Sequence, residues 1–198
     1  MASPSSNSSA RTSSAIRSCR RSSRPTRNIA ASFEMDEPSP DKPARSIAIR
    51  DRQMVCQIDK RLLRRTLTHY LRKELELNSY ELCFHLVDAK EMAEVNWKFL
   101  QHEGSTDVIT FDHMDAVDGK NLFGEIFICM ADAVSQARQF KTNWQSELTR
   151  YAVHGILHLC GHDDVDAADR KRMKREENRG LRKLGGEFNL ARLSCQNE

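Results

Sequence analysis

The chain has 198 residues, of which 39% are hydrophobic and 30% charged, and this length and composition fit one soluble globular domain with a tail. No stretch approaches the ~18 unbroken apolar residues of a membrane span. The net charge of +3 arises in residues 1–45, which hold eight basic and four acidic side chains against 23 and 24 in residues 46–198, so the charge of the whole chain is weak evidence for a nucleic-acid partner. Six cysteines without a CxxC pair exclude a four-cysteine zinc ribbon and favour a reducing compartment over a disulfide scaffold.

The N-terminal segment has the composition of a disordered chain. Its first 33 residues contain eleven Ser, six Arg and no acidic residue, and such a segment cannot bury enough apolar surface to offset its ordering entropy. Three prolines between positions 38 and 43 mark a linker. We predict a disordered extension and linker over residues 1–45 and a single domain over 46–198. We expect a cytoplasmic protein. Arg-rich, acid-poor N-termini are also typical of transit peptides, so the alternative is an organellar protein if the extension is a targeting signal.

The remaining pattern predicts strands and helices that alternate and then give way to helices. Alternating apolar residues predict four strands, over residues 46–50, 82–87, 108–111 and 122–129. Apolar stripes and capping residues, among them Asp59 and Asp88, predict five helices, over residues 59–78, 88–99, 131–141, 144–160 and 166–184. Asp118 and Gly119 supply hairpin-turn chemistry between the last two strands. This arrangement predicts an α+β domain.

Two histidines on the fourth helix form the most informative local pattern. His154 and His158 are four residues apart, so they share one helix face and can ligate one ion at ~2.0–2.1 Å. A third ligand on the same straight helix would lie too far along the axis, but Gly161 can end the helix and turn the chain back. Beyond that turn, either His162 or Asp164 can complete a three-ligand site whose fourth position is open to water.

The same segment narrows the reaction class. Gly155 follows the first histidine, in the place of the glutamate that acts as general base in HExxH peptidases. A zinc ion with three protein ligands lowers the pKa of bound water toward ~7. We therefore expect metal-assisted hydrolysis, and this pattern alone does not separate phosphodiester from amide substrates.

Three motifs together resemble the YbeY family of endoribonucleases. The segment His-Gly-x-Leu-His-Leu-x-Gly-x-Asp starting at His154 follows Ser105-Thr-Asp-Val-Ile-Thr-Phe111 and Gly124-Glu-Ile-Phe-Ile128 in the family's order, and the resemblance runs from about Ile47 to Gly185. It implies a small four-stranded mixed sheet packed with about five helices and a metal site at the C-terminal end of a helix. It also implies a single-strand-specific endoribonuclease with one Zn²⁺, acting on rRNA at the ribosome or its small subunit, in 16S 3′-end maturation and ribosome quality control.

Two positions depart from the family pattern. The family motif usually ends Gly-Tyr-Asp-His with the last His as third ligand, and here Asp164 stands at that position while His162 replaces Tyr. The register therefore implies the ligand set His154, His158 and Asp164, whereas ligand preference favours His162. The family's loop Arg, four residues after Asn96, is replaced by Leu100. This replacement leaves the catalytic residues unassigned, with Lys98 and His102 as other sources of positive charge.

Three further interpretations stay open. The chain can be a ribosome-assembly binding factor whose metal is structural, since the loop Arg is missing. An amide hydrolase is a weaker alternative, based on the histidine spacing alone. The eight basic residues between positions 170 and 183 are either a solvated helix face partly paired with Glu176 and Glu177 or a surface that follows RNA phosphates.

Overall fold

The computed structural model describes residues 44–114 and 120–194 and the backbone of Ser18–Cys19. Its sheet has the order β1-β4-β5-β3-β2, with strands β1 (Ser18–Cys19), β2 (Arg45–Asp51), β3 (Ser79–Val87), β4 (Val108–Asp112) and β5 (Asn121–Cys129). Strands β2, β3 and β5 are parallel, while β4 is antiparallel to β5. The predicted four-stranded mixed sheet is confirmed, and the two-residue β1 is an edge strand that pairs with β4.

Five α-helices surround the sheet, as predicted. They are α1 (Lys60–His69), α2 (Ala89–Leu100), α3 (Met130–Phe140), α4 (Trp144–Leu159) and α5 (Ala167–Glu187). The predicted caps are confirmed, since Asp59 accepts from the Leu62 N–H at 2.9 Å and Asp88 from the Glu91 N–H at 2.8 Å. The predicted first helix is divided, because α1 passes into a π-helical turn over Tyr70–Glu74. A 3₁₀ turn, Leu190–Leu193, follows α5.

Some predictions fall outside the described residues. The Asp118–Gly119 turn is among them, and so are residues 1–17 and 20–43 of the expected extension. The disorder of the extension and the division of the chain into extension and domain therefore stay predictions. Within the described ranges, no helix combines the length and apolarity needed to cross a bilayer.

Helix α4 is the central helix of the fold. All its residues from Glu147 to Leu159 except Arg150 are buried, as expected for a helix that is apolar on most of its circumference. It contacts β4 and β5 on one face of the sheet and is flanked by α3 and α5. A second, smaller apolar cluster on the other face includes Met92 of α2. The α4 face of the sheet therefore holds the main core and fixes both ends of α4.

Close contact between α4 and the sheet depends on Gly124 in β5. A Cβ atom at this position would lie 2.5 Å from the carbonyl oxygen of Phe111 and 3.1 Å from Leu159 Cδ2. The Phe111 carbonyl belongs to the neighbouring strand and cannot move without disturbing the β4–β5 pairing. Only the absence of a side chain allows this approach.

We expect Gly124→Ala to lower the free energy of unfolding by about 1–3 kcal/mol, as overpacked core sites do. The measurement is urea denaturation followed by far-UV circular dichroism. Gly186→Ala is the matched control, because nothing lies within 4 Å of a Cβ at that helical position and alanine there favours the helix by ~0.5–1 kcal/mol. Equal destabilisation by both substitutions would contradict the packing argument.

Candidate metal centre

Helix α4 brings His154 and His158 together at its C-terminal end. The two side chains lie one turn apart on one face and are 5% and 4% exposed. Their Nε2 atoms face each other at 2.9 Å. The predicted pairing of the two imidazoles on one helix face is confirmed.

The turn predicted at Gly161 is present. This residue has φ +88°, in the left-handed region that glycine adopts without a Cβ penalty. The Gly161 N–H donates to the His158 carbonyl at 2.9 Å, and the His162 N–H donates to the Leu157 carbonyl at 3.0 Å. These two bonds form a Schellman motif, which ends α4 and satisfies two of its last carbonyl groups. The chain after the turn runs back toward the two histidines.

The turn places Asp164 against the histidine pair. Asp164 is 8% exposed, and its Oδ1 lies 4.0 Å from His158 Nε2. One ligand atom from each of His154, His158 and Asp164 lies within 4.8 Å of the other two, and within the described residues this is the one such group of His, Cys, Asp or Glu side chains. His162 is outside the group and contributes its carbonyl oxygen, which accepts from His158 Nδ1 at 3.0 Å.

Hydrogen bonds at the far side of each ring fix the imidazole tautomers. A carbonyl oxygen only accepts, so His158 Nδ1 carries the proton that it donates to His162, and the Nε2 atom of the neutral ring has a free lone pair. His154 Nδ1 donates to Glu177 Oε1 of α5. Burial acts to raise the pKa of Glu177, but the hydrogen bond from His154 and the charges of His154 and Arg150 outweigh it and lower that pKa. Glu177 is therefore an ionised acceptor, and contacts of this kind orient metal-binding histidines.

The residues fit a divalent cation. Two lone pairs facing each other at 2.9 Å repel unless a cation or a proton lies between them. Burial is the main cause that lowers the pKa of His158 to about 4, so His158 is neutral near pH 7, as a metal ligand must be. Two imidazole nitrogens and a carboxylate oxygen form a donor set typical of zinc, and the C-terminal end of a helix favours positive charge.

Glu177 is the site residue that the sequence reasoning missed. The pattern suggests that it pairs with the basic residues of its own helix, but the structure buries it against His154, with Arg150 of α4 at 3.3 Å. A signal was present, because Met173, Glu177, Gly180 and Leu184 recur at helical spacing, and all four are buried. An acidic residue on the buried face of a helix requires a partner of its own.

The two motifs that precede α4 in the sequence, residues 105–111 and 124–128, place their acidic side chains on different faces of the sheet. Asp107, just before β4, is half-buried, and desolvation raises the pKa of its carboxyl against the opposing effect of His154. Glu125 of β5 instead contacts His85 at 2.8 Å and His113 at 3.5 Å. Leu100, at the position of the family's loop Arg, packs against the smaller apolar cluster.

Comparison with known proteins agrees with this geometry. The family model for Endoribonuclease YbeY matches residues 47–185. A protein of that name from Finegoldia magna is 31% identical over 143 residues, covering 70% of this chain and 94% of that protein. Another from Bacteroides fragilis is 38% identical over 101 residues, covering 51% and 70%.

A solved structure agrees in fold. The solution structure of a Thermotoga maritima protein superposes with a TM-score of 0.56 and 24% identity, covering 77% of this chain and 97% of that chain. At this identity the likeness concerns the fold alone. The family model's range, residues 47–185, contains strands β3, β4 and β5, most of β2, the helix α4 and the turn that brings Asp164 to His154 and His158. With this extent of agreement the chain belongs to the YbeY endoribonuclease family.

Proposed function

We propose that the protein is a metal-dependent endoribonuclease that cleaves single-stranded RNA, with one Zn²⁺ held by His154, His158 and Asp164. The observation that carries this proposal is the buried pair of facing Nε2 atoms with a carboxylate beside it, within 4.8 Å of both. RNA as substrate follows from the name Endoribonuclease YbeY carried by the relatives. The proposed process is maturation of the 16S rRNA 3′ end and ribosome quality control, with the small subunit as partner, in the cytoplasm or in an organelle.

The chain's own residues supply the preorganisation that this chemistry needs. A bound divalent cation acidifies water and polarises a phosphoryl oxygen. The His162 carbonyl and the Glu177 carboxylate hold the two imidazoles with their Nε2 atoms toward the centre. Leu157 and Leu159 of α4 are also buried, which fixes the C-terminal end of the helix. The ligands therefore do not reorganise when the substrate binds.

The third ligand is tested by elemental analysis of protein purified without chelators. We expect one equivalent of zinc in the unmodified protein and loss of it in His158→Ala and Asp164→Ala. His162→Ala is the matched control and should retain the metal, because alanine keeps the backbone carbonyl that accepts from His158. Loss of zinc in His162→Ala with retention in Asp164→Ala would show that His162 is the ligand.

A second candidate is a ribosome-assembly factor whose metal is structural. It is supported by Leu100, which packs against an apolar cluster where the family pattern has a cationic side chain. This candidate predicts that metal-free, folded protein binds small subunits normally and that the unmodified protein yields no cleavage product. Cleavage of single-stranded RNA by the zinc-loaded protein, with duplex RNA and a peptide library left intact, would exclude it.

A further inference from the structure

Helix α5 carries a net positive charge, whereas the rest of the domain carries a net negative charge. Residues 167–187 hold eight basic and four acidic side chains, whereas the remainder of residues 46–198 holds 15 basic and 20 acidic ones. The positive potential is therefore local, on a domain that is otherwise acidic. Such a local concentration attracts an anionic partner even when the net charge of the chain is small.

Six of these basic side chains have partners within the chain, and four of them are held by contacts of 3.2 Å or less. Ion pairs or hydrogen bonds to acidic side chains and carbonyl groups occupy Arg170, Arg172, Arg179 and Lys183. Two of these contacts tie α5 to other parts of the fold, through Glu74 after α1 and through the carbonyl oxygen of Asp164. Arg170 and Lys183 therefore stabilise the position of the helix, whereas Arg172 and Arg179 pair within it.

The other four form a line of exposed charge, which we call the basic stripe: Lys171, Lys174, Arg175 and Arg182. Their spacing of three, four and seven residues places them on one side of the helix. Neither lysine has an ion-pair partner within the described residues. Arg175, whose side chain is 71% exposed, has a 3.6 Å contact with Glu176, and Arg182 donates one hydrogen bond, at 3.3 Å, to the Asn178 carbonyl of its own helix. The stripe is about 16 Å long at 1.5 Å per residue, so it suits an extended polyanion better than a single small anion.

The basic stripe is connected to the candidate metal centre through Asn178 and Arg150. Asn178 lies on the same side of α5, between Arg175 and Arg182, and its Oδ1 accepts from Arg150 of α4 at 3.0 Å. The next residue inward, Glu177, holds His154. Arg150, one turn before His154 on α4, thus joins the middle of the stripe to the ligand helix.

We propose that the basic stripe binds backbone phosphates of a single-stranded RNA substrate and positions the strand at the metal centre. This inference rests on the proposed function. Lysine ammonium groups act as point charges toward phosphate, and contacts of this kind position a nucleic acid without reading its sequence. The stripe itself carries no aromatic side chain, so the binding is expected to be independent of sequence and strongly dependent on salt.

The test compares two triple variants of the full-length chain that lose the same charge. Lys171→Gln/Lys174→Gln/Arg182→Gln neutralises the stripe, and Arg172→Gln/Arg179→Gln/Lys183→Gln neutralises the paired side. Glutamine is close to lysine and arginine in helix propensity, and far-UV circular dichroism verifies the fold of both. Binding of a short fluorescent single-stranded RNA of mixed sequence is followed by anisotropy over a range of KCl concentrations, with a gel to check that the RNA stays intact.

We expect the stripe variant to bind RNA roughly tenfold more weakly at moderate salt. Its slope of log affinity against log salt should be shallower by about 2, because each of the three lost phosphate contacts contributes ~0.7. The paired-side variant should keep the original slope. Equal losses in both variants would reduce the effect to net charge and overturn the inference. Unchanged RNA binding by the stripe variant would also overturn it, including the case in which that variant loses only the binding to vesicles of phosphatidylcholine and phosphatidylserine, measured in parallel. RNA binding without cleavage by the unmodified protein would contradict the proposed function and leave the stripe supported.

Discussion

Replacing His154 with alanine is expected to abolish cleavage of single-stranded RNA, with a fall in rate of at least about a thousandfold, which corresponds to several kcal/mol of transition-state stabilisation. The substitution removes one of two buried Nε2 ligand atoms that lie 2.9 Å apart. It also leaves the Glu177 carboxylate without its imidazole donor, in a position where Arg150 at 3.3 Å is the remaining cationic contact among the residues that the structure describes. The variant should therefore lose the metal as well as the activity.

The measurement is cleavage of a labelled RNA by unmodified and variant proteins purified side by side, together with zinc content and circular dichroism. His113→Ala is the matched control, because this half-exposed histidine contacts Glu125, away from the metal centre, and its loss should leave the rate unchanged. His154→Gln provides a second variant that keeps a polar side chain next to Glu177. Full activity of a folded, zinc-free His154→Ala protein would exclude the metal centre as the origin of the cleavage.

The parts of the site that were predictable from the sequence are those set by local geometry. The four-residue spacing of His154 and His158 determines their common face, because helical periodicity is a property of a single segment. Gly161 ends the helix for an equally local reason, since it adopts the left-handed conformation at low cost. The choice between His162 and Asp164 required more, because the register of the resemblance implied Asp164 whereas ligand preference favoured His162. The structure instead brings the side chain of Asp164 to the histidine pair and uses His162 through its carbonyl group.

The parts that were not predictable depend on contacts between distant segments. Glu177 lies 23 residues after His154, on another helix, and only the packing of α5 against α4 brings the two side chains together. The π-helical turn at Tyr70–Glu74 is similar in kind, because Tyr70 packs beneath Gly180 of α5, where a Cβ would lie 2.9 Å from its ring. Strand order also depends on tertiary pairing, as the parallel partnership of β3 and β5 shows. Periodicity gives each element its face, and the packing of elements decides which faces meet.

Glu177→Ala is expected to weaken zinc binding by about 10–100-fold, as the loss of such orienting partners does in metal sites. The carboxylate fixes the Nδ1–H tautomer of His154 and keeps Nε2 directed at the other ligands. Glu177→Gln separates the two contributions, because the amide oxygen still accepts from Nδ1 but carries no charge. We expect this variant to bind zinc with an affinity between those of the unmodified protein and Glu177→Ala.

The affinities are measured by competition with a chromophoric chelator, and the d–d spectrum of the Co²⁺-substituted protein reports the ligand geometry. Glu176→Gln is the matched control, since Glu176 is the neighbouring residue and pairs with Arg179 at 3.1 Å on the outer side of α5. A change in the cobalt spectrum in Glu177→Ala, absent in Glu176→Gln, would distinguish a positioning role from a general effect of removing negative charge from α5. Identical affinities and spectra in the two variants would mean that the contact between Glu177 and His154 stabilises the packing of α5 against α4 and does not orient the ligand.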